Sequence, residues 1–149
     1  MLMLLFHIGE GRYAMDCGHV IEVVPRVNLK PIAQAPEYVA GMLNYRGIPV
    51  PVVDLCHLLE GNPCGSSLHT RIIVCDYTSK NGQSHKFGLI AERVTETIHR
   101  DSSDFVDSGM RVDEIPYLGG VMTEENVVTQ QLIVDILAAV IEEVLFSEK

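Results

Sequence analysis

The amino-acid sequence predicts an all-β fold in the main, with its clearest helix at the C-terminal end. Short apolar runs dominate the chain and are separated by turn signals such as Gly9-Glu10-Gly11, Gly61-Asn62-Pro63 and Lys80-Asn81-Gly82. About ten short strands with this punctuation are typical of a β-barrel or a β-sandwich. At 149 residues the chain is one ordinary domain, or two small subdomains that share a core.

Ten segments have the length and composition of strands. In chain order they are Leu2–Ile8, Arg12–Cys17, Val20–Val27, Val39–Tyr45, Ile48–Val53, Arg71–Tyr77, Lys86–Ala91, Val94–Arg100, Leu118–Met122 and Val127–Val134. The polar stretch Gly61–His69 separates two sets of five and is predicted to be the boundary between two halves. The stretch Asp101–Ile115 has little periodicity and is predicted to be a long loop.

Helical patterning is clearest at the end of the chain. The apolar stripe of the segment Asp135–Phe146 consists of Ile136, Leu137, Val140, Ile141, Val144 and Leu145. This spacing places the stripe on one face of a helix, and Asp135 is a plausible N-cap. The helix either packs over the core or binds a partner. A shorter segment, Asp54–Glu60, is predicted to form one or two helical turns.

The stretch Tyr38–Leu55 is the most informative part of the sequence. It consists of an apolar run, the corner Asn44-Tyr45-Arg46-Gly47, a second apolar run and a closing Asp54. Two strands joined at a glycine-containing turn explain this pattern. Pro49 and Pro51 are two residues apart, so their missing N–H groups face the same side of the second strand. We therefore expect that strand at a sheet edge or a barrel corner.

The chain also echoes itself. The echoed positions are Tyr13-Ala14-Met15 with Phe87-Gly88-Leu89, Val20 with Val94, Glu22 with Glu96, Tyr38 with Tyr117, Gly41 with Gly120 and Asp54 with Asp135. The first three matches share an offset of 74 residues, and the others have offsets of 79 to 81. Because both series keep the same order along the chain, they favour two similar five-strand halves.

These motifs resemble those of the CheW-type coupling proteins of bacterial chemotaxis. That family has a Tyr-Ala-Ile-Asp segment, a Val-x-Glu-Val segment, a glycine, an Asn-Leu-Arg-Gly-like corner and a Val-Pro-Val-Val-Asp-Leu-like strand. Here the matching residues are Tyr13-Ala14-Met15-Asp16, Val20-Ile21-Glu22-Val23, Gly41, Asn44-Tyr45-Arg46-Gly47 and Val50-Pro51-Val52-Val53-Asp54-Leu55. The resemblance is strong from about Phe6 to Leu59 and looser from Arg71 to Leu137.

The resemblance implies an architecture of two packed five-stranded SH3-like β-barrels with a C-terminal helix. Residues 1–149 would then be a single CheW-like domain. The first barrel would span approximately residues 6–65, the second approximately residues 66–134, and the helix residues 135–146.

The resemblance further implies a non-catalytic adaptor at a membrane-associated receptor array. Such a protein couples methyl-accepting chemoreceptors to a CheA-type histidine kinase: it binds the regulatory domain of the kinase, and the cytoplasmic tip of the receptor lies as a helical hairpin in a groove between the halves. The chain departs from the family at Tyr45, where leucine is commoner, and at Ala91-Glu92, where Val-Asp is frequent. These departures suit a chemosensory pathway other than flagellar chemotaxis. One alternative is a CheW-like protein that binds the kinase but not the receptor.

Matching the family's motifs identifies a set of candidate site residues. The candidate partner-binding residues are Val20, Glu22, Gly41, Arg46, Gly47 and Val94, and the candidate structural residues are Pro49, Pro51 and Asp54. Glu22 and Arg46 are either an ion pair that joins two strands or part of a surface that contacts the kinase, and the two readings are compatible. Val20 is either a core residue or an anchor in the receptor groove.

Composition excludes several classes of function. The formal net charge is −9 and basic residues do not cluster, which argues against nucleic acid and anionic membranes as partners. No apolar run approaches the length of a membrane span, and the apolar N-terminus lacks the basic flank of a signal peptide. There is no phosphate-binding loop, dinucleotide fingerprint or nucleophile elbow, so we expect no cofactor and no catalysis.

The cysteines and histidines supply the one competing chemistry. Cys56, His57, Cys64 and His69 are the nearest approach to a metal or redox constellation, but they lack zinc-site spacing. A small Cys/His redox or metal protein is therefore the alternative from a different class. Without C-x-x-C spacing or a targeting segment, the four cysteines are expected to be reduced in the cytosol.

Overall fold

A computed structural model describes residues 1–65, 67–107 and 115–145, and within these it leaves the side chain of Thr95 undescribed. The molecule is mainly β with a C-terminal helix, as predicted. The predicted loop Asp101–Ile115 falls partly outside the described residues, and so does Phe146 at the end of the predicted helix.

Nine strands and two α-helices form the described part of the chain. The strands are β1 (Leu2–Ile8), β2 (Gly11–Asp16), β3 (Val20–Pro25), β4 (Val39–Tyr45), β5 (Ile48–Asp54), β6 (Arg71–Thr78), β7 (Ser84–His99), β8 (Leu118–Glu124) and β9 (Val127–Leu132). The helices are α1 (Leu55–Glu60) and α2 (Val134–Leu145), and short 3-10 turns lie at Cys17–His19 and Ser102–Asp104.

One strand prediction was wrong. The segments Lys86–Ala91 and Val94–Arg100 were predicted as separate strands, whereas β7 runs through both without a turn. The apolar pattern is interrupted by a β-bulge in β7. Leu5 of β1 pairs with Glu96 and His7 pairs with Glu92, so the register shifts between these two pairs. Arg93, within the bulge, has a positive φ of 48°. A bulge accommodates extra residues in one strand and re-aims it without ending it.

The two halves of β7 belong to two different groups of strands. The first half pairs with β6 from Thr78↔Ser84 to Arg71↔Ala91, and with β5 in parallel through Val52↔Gly88. Together with β3 and β4 these strands form group I. The second half of β7 pairs with β1, which continues through β2 and β9 to β8, and these strands form group II. Group I therefore lies within the middle of the chain, from Val20 to Ala91, whereas group II combines strands from both ends. Each group takes strands from both of the predicted halves.

The internal echo has a physical counterpart in the strand pairing. The parallel pair Ala14↔Gln131 in group II corresponds to Gly88↔Val52 in group I. Gly41 precedes an isolated bridge between Lys30 and Met42, and Gly120 likewise precedes a bridge between Val106 and Val121. Both glycines lie against the backbone of the bridging segment. The echoed residues of the two halves therefore occupy equivalent positions in the strand pairing.

Three apolar clusters fill the molecule. A cluster inside group I contains Leu43, Tyr45, Val50, Val52, Ile72, Val74 and Ile90. A smaller cluster in group II contains Met3, Leu5, Ala14, Phe105 and Met122. The largest, here called the shared core, contains Leu4, Phe6, Ile8, Met15, Val53, Leu55, Cys56, Ile73, Cys75, Phe87, Leu89, Ala91, Tyr117, Leu132, Val134, Leu137, Ala138 and Ile141. Its members come from both groups and from both α-helices, so the groups are joined by packed apolar surface.

Helix α2 covers the shared core, in agreement with the core-packing interpretation. Its buried residues include Leu137 and Ile141. The Tyr77 hydroxyl donates to Glu142 over 2.7 Å, and His19 lies 2.8 Å from Asp135, so both ends of the helix also contact group I or its neighbouring turn. Asp135 lies inside the first turn, after Val134, so its assignment as the N-cap was wrong.

Strand β5 is not an edge strand along its whole length, because it pairs with β4 and, from Val52, also with β7. Pro49 pairs with Asn44 and Pro51 with Met42, both on β4. Pairing of β5 with β7 begins only at Val52. The prolines therefore occupy the part of β5 that has a single neighbouring strand, where a missing N–H group costs no ladder hydrogen bond. None of the helices in the described residues is both long enough and apolar enough to cross a membrane.

Gly41→Ala should destabilise the fold strongly. Gly41 has a φ of 147°, and an added Cβ would lie 2.7 Å from the Lys30 carbonyl oxygen and 2.9 Å from Leu29 Cβ. We expect the free energy of unfolding, measured by urea denaturation, to fall by about 3 kcal/mol. Gly82→Ala is the matched control, because Gly82 also has a positive φ of 85° but nothing within 4 Å of an added Cβ. It should cost only about 1–2 kcal/mol. Equal losses would show that the close approach at Gly41 is unimportant.

Candidate interaction site

The corner between β4 and β5 is a two-residue hairpin turn. Tyr45↔Ile48 is the last strand pair, and Arg46 and Gly47 both have positive φ angles, of 52° and 85°. This is the backbone of a type I′ turn, which suits the right-handed twist of the flanking strands. The Asn44 side-chain oxygen accepts a hydrogen bond from the Gly47 N–H over 2.9 Å. The turn holds Arg46 at the tip of the hairpin.

Glu22, Tyr45 and Arg46 form a cluster, here called the corner cluster. Glu22 Oε1 accepts hydrogen bonds from the Tyr45 hydroxyl over 2.6 Å and from Arg46 Nη2 over 3.0 Å. The Arg46 guanidinium also lies 5.3 Å from the centre of the Tyr45 ring, within the range of a cation–π contact. Strand β3 does not pair with β4 or β5. The corner cluster therefore links β3 to the β4–β5 hairpin through side chains.

The charged members of the cluster lie at the surface. The side chain of Arg46 is 73% exposed and that of Glu22 is 39% exposed. An ion pair this exposed contributes about 0–1 kcal/mol to stability. The hydrogen bond to Glu22 raises the pKa of Tyr45 above its usual value, which keeps the phenol protonated and donating. The cluster therefore fixes the direction of Arg46 while leaving most of its guanidinium available to a partner.

A shallow groove of about 270 Å³ lies beside the corner. It is lined by Lys30, Met42, Leu43, Asn44, Gly47 and Pro49. Ile48, the first residue of β5 and the strand partner of Tyr45, adds an exposed apolar side chain next to the turn. Apolar surface next to a few oriented charges is the usual composition of a protein–protein interface.

The structure brings some of the predicted partner-binding residues together and separates others. Glu22, Arg46 and Gly47 lie at the corner. Gly41 is buried against the backbone of Lys30, and this close approach leaves no room for a side chain at position 41. Val20 on β3 and Val94 on β7 are half-buried, and both pack against the shared core.

Tyr45 is the member of the site that sequence reasoning missed. It was noted only as a departure from the family's leucine, yet its hydroxyl makes the shortest hydrogen bond of the corner cluster. Its ring is buried in the group I cluster while its hydroxyl reaches Glu22. A tyrosine next to a turn arginine is a signal that could have been used, because a buried tyrosine hydroxyl usually finds a partner.

Asp54, predicted to be a structural residue, lies at the end of β5 and contacts two backbone segments. It is 6% exposed, and its Oδ1 accepts from the His57 N–H over 3.1 Å at the start of α1. The same carboxylate accepts from the Cys64 N–H over 3.2 and 3.0 Å. It therefore holds both α1 and the segment that follows it.

The expectation of four reduced cysteines is wrong for two of them. Cys56 and Cys64 form a disulfide, with their Cα atoms 5.0 Å apart, because the chain turns back after α1. Cys75 is buried and Cys17 is half-buried, and both are free thiols, as expected for small core residues.

The metal constellation of cysteines and histidines is not assembled. Within residues 1–65, 67–107 and 115–145, the one group that could hold an ion is Asp54, Cys56 and Cys64, and it includes neither His57 nor His69. His57 Nε2 instead lies 3.5 Å from Glu37 Oε2. Both oxygens of Asp54 already accept backbone N–H groups.

Fold and site together describe an interaction module, in which a rigid β framework presents a turn arginine beside apolar surface. The chain belongs to the family of the CheW-like domain, whose model matches residues 2–142. The family's scaffolding proteins are non-catalytic, in agreement with the prediction that this chain is not an enzyme.

Individual relatives are distant. The chain is 28% identical over 106 residues to the chemotaxis protein CheW of Treponema pallidum, covering 68% of this chain and 59% of that protein. It is 29% identical over 69 residues to the protein FrzA of Myxococcus xanthus, covering 46% of this chain and 43% of that protein. The crystal structure of the scaffolding protein TtCheW from Thermoanaerobacter tengcongensis matches with a TM-score of 0.77 and 27% identity, covering 91% of this chain and 86% of that chain.

Arg46→Asn should leave the stability almost unchanged, whereas Arg46→Ala should lower it. Asparagine tolerates the positive φ of a type I′ turn, and alanine does not. Both variants remove the ion pair, which contributes at most about 1 kcal/mol. In urea denaturation Arg46→Asn should therefore lie within about 1 kcal/mol of the parent, with Arg46→Ala below it. Equal, large losses in both would mean that the Glu22 contact, and not the turn, carries the stability.

Proposed function

We propose that the protein is a cytoplasmic, non-catalytic adaptor that couples methyl-accepting chemoreceptors to a CheA-type histidine kinase. The observation that carries this proposal is the family match over residues 2–142 combined with the exposed corner arginine of the family motif. The relatives named above support it, since they are a chemotaxis protein and a scaffolding protein. No nucleic acid and no direct membrane insertion are part of the proposal.

The kinase's regulatory domain would bind at the corner cluster and the adjoining groove. Arg46 is held by Glu22 and Tyr45 and still exposes most of its side chain, so a partner carboxylate or carbonyl could reach it. The groove and Ile48 supply apolar contact area, and Lys30 in the groove lining adds a second positive charge to that of Arg46. An interface of about 800 Å² on each side suffices for specific binding, and an array adds avidity from many such contacts.

The receptor tip would lie as a helical hairpin in a groove between the two groups of strands. Val20 is the proposed anchor, with Val94 as its counterpart in the echoed half. Both are half-buried and pack at the edge of the shared core. An amphipathic helix that binds in a groove needs apolar positions of this kind.

Each group of strands would close into one SH3-like barrel of a single CheW-like domain. Two observations support this: each group has five strands when the halves of β7 are counted separately, and each has an apolar cluster of its own. If the two groups are the two barrels, the barrels do not follow the predicted ranges of about 6–65 and 66–134, because each group takes strands from both ranges.

The departures from the family pattern favour a chemosensory pathway other than flagellar chemotaxis. Tyr45 adds a hydroxyl to the corner cluster. Glu92 accepts from the Gly9 and Gly65 N–H groups, both over 3.0 Å, where the family often has the shorter aspartate. A coupling-like protein that binds the kinase but not the receptor is the second candidate. Co-purification of a receptor fragment distinguishes the two.

Reconstitution with the cognate kinase and receptor tests the proposal. Autophosphorylation of the kinase should rise when this protein joins kinase and receptor, and the protein alone should show no turnover. Arg46→Asn should reduce the stimulation, because it removes the guanidinium but keeps the turn. Stimulation of the kinase by receptor alone, with this protein omitted, would remove the coupling function.

Val20→Asp tests the receptor surface. A charge in an apolar contact that cannot pair it is costly, so receptor binding should fall while kinase binding and the melting temperature stay near those of the parent. Val128→Asp is the control, since Val128 is an exposed valine of β9. If Val20 instead belongs to the shared core, the variant should unfold or aggregate. A folded variant with unchanged receptor affinity would place the receptor site elsewhere.

A further inference from the structure

Helix α1 and the segment that follows it carry a cysteine pair that the proposed function does not use. Cys56 lies in the first turn of α1 and is 3% exposed. Cys64 lies eight residues later, is half-buried, and follows the exposed residues Gly61, Asn62 and Pro63. The two cysteines form a disulfide, and Cys64 is the more exposed of the two.

Asp54 holds the two cysteines next to each other independently of the bond between them. Its carboxylate accepts from His57 at the start of the helix that carries Cys56, and from the N–H of Cys64 itself. It is buried, so these hydrogen bonds are little exposed to competition from water. The sulfurs would therefore stay close after the covalent bond is broken, and the bond could re-form without a search by the chain.

In the reduced form, the Cys64 thiol would have a hydrogen-bond acceptor within reach. Cys64 Sγ lies 3.6 Å from the Ile90 carbonyl oxygen, a distance at which a thiol can donate a weak hydrogen bond. Thr70 donates to the Gly65 carbonyl over 2.7 Å and holds the next residue of the segment in either form. Breaking the disulfide therefore leaves no buried donor of Cys64 without a partner.

The same segment reaches the junction between the two groups of strands. Glu92 lies in β7 beside the bulge residue Arg93. Its two carboxylate oxygens accept the N–H of Gly65, which follows Cys64, and the N–H of Gly9, in the β1–β2 turn. The disulfide at Cys64 is therefore one residue away from Gly65, whose hydrogen bond to Glu92 joins the segment after α1 to group II.

The other two cysteines are poorly placed to react. Cys75 is fully buried, and burial raises its pKa far above the usual value for a thiol. Burial, followed by the nearby Asp16 carboxylate, also raises the pKa of Cys17. Since the thiolate is the reactive form, neither is expected to compete in thiol exchange.

We propose that Cys56 and Cys64 are a reversible redox site, whose disulfide restrains the segment between α1 and Gly65 at the junction of the two strand groups. In the reduction step, a thiolate of an external dithiol attacks the Cys64 sulfur and forms a mixed disulfide, while the Cys56 sulfur leaves and takes a proton. The second thiol of the reagent loses its proton as its sulfur displaces Cys64, which leaves as a thiol. The dithiol is oxidised by two electrons, and Cys56 and Cys64 are reduced by the same two.

A redox titration of the full-length chain tests the site without any variant. The protein is equilibrated under native conditions in mixtures of reduced and oxidised dithiothreitol, quenched with acid, alkylated in denaturant and mapped by mass spectrometry. Alkylation of Cys56 and Cys64 should rise and fall together with the ratio of the mixture, reversibly, with an unchanged far-UV circular dichroism spectrum. The melting temperature of the reduced form should be lower by about 5–10 °C.

Amide hydrogen exchange tests the link to the junction. Exchange at the N–H groups of Gly9 and Gly65 should be about tenfold faster in the reduced protein, while that of Leu89 in the core of β7 stays unchanged. Cys64→Ser should show the faster exchange without reductant. Cys17→Ser is the matched control and should respond to reductant as the parent does. If Cys64→Ser does not fold, Cys64→Ala serves in its place.

Three results would overturn the proposal. The first is complete alkylation of Cys56 and Cys64 after the quench at every ratio, since no disulfide would then form. The second is a disulfide that opens only after denaturation, which would make it a permanent cross-link. The third is unchanged exchange at Gly9 and Gly65 on reduction. Neither kinase nor receptor enters these measurements, so the redox site and the proposed adaptor function are tested separately.

Discussion

The length of β7 is the constraint on which the rest of the structure depends. One strand supplies a neighbour to β5 and β6 in its first half and to β1 in its second half, and the bulge at Arg93 re-aims it between them. Phe87, Leu89 and Ala91 in its first half are buried in the shared core. Because that core takes members from both groups and from α2, the two groups bury their common apolar face only when they are together.

Two side-chain carboxylates satisfy backbone N–H groups of the irregular segments near the junction between the groups. Asp54 accepts N–H groups at both ends of the segment that contains α1, and Glu92 accepts one from that segment and one from the β1–β2 turn. These are irregular segments, where strand partners are not available to the N–H groups. The Cys56–Cys64 disulfide, which we propose to be reversible, lies on the segment that these two carboxylates hold.

The recognition surface follows a different rule. At the corner, the backbone of a type I′ turn and the hydroxyl of Tyr45 fix the geometry, while the ion pair of Glu22 and Arg46 adds little stability because it is exposed. A residue that contributes little to folding can form contacts with a partner protein without lowering the stability of the fold. For a protein whose proposed task is to hold two others in register, rigidity of the backbone around Arg46 is more useful than a strong internal pair.

The sequence by itself determined the strands, the hairpin corner, the edge position of Pro49 and Pro51 and the C-terminal helix, because apolar periodicity and turn chemistry are local properties. Motif spacing also identified the family. Only the tertiary structure decided that β7 is continuous, that each group takes strands from both halves, that Tyr45 donates to Glu22, and that Cys56 meets Cys64. These features depend on which distant segments become neighbours, and a local pattern of alternation carries no information about the partner of a strand.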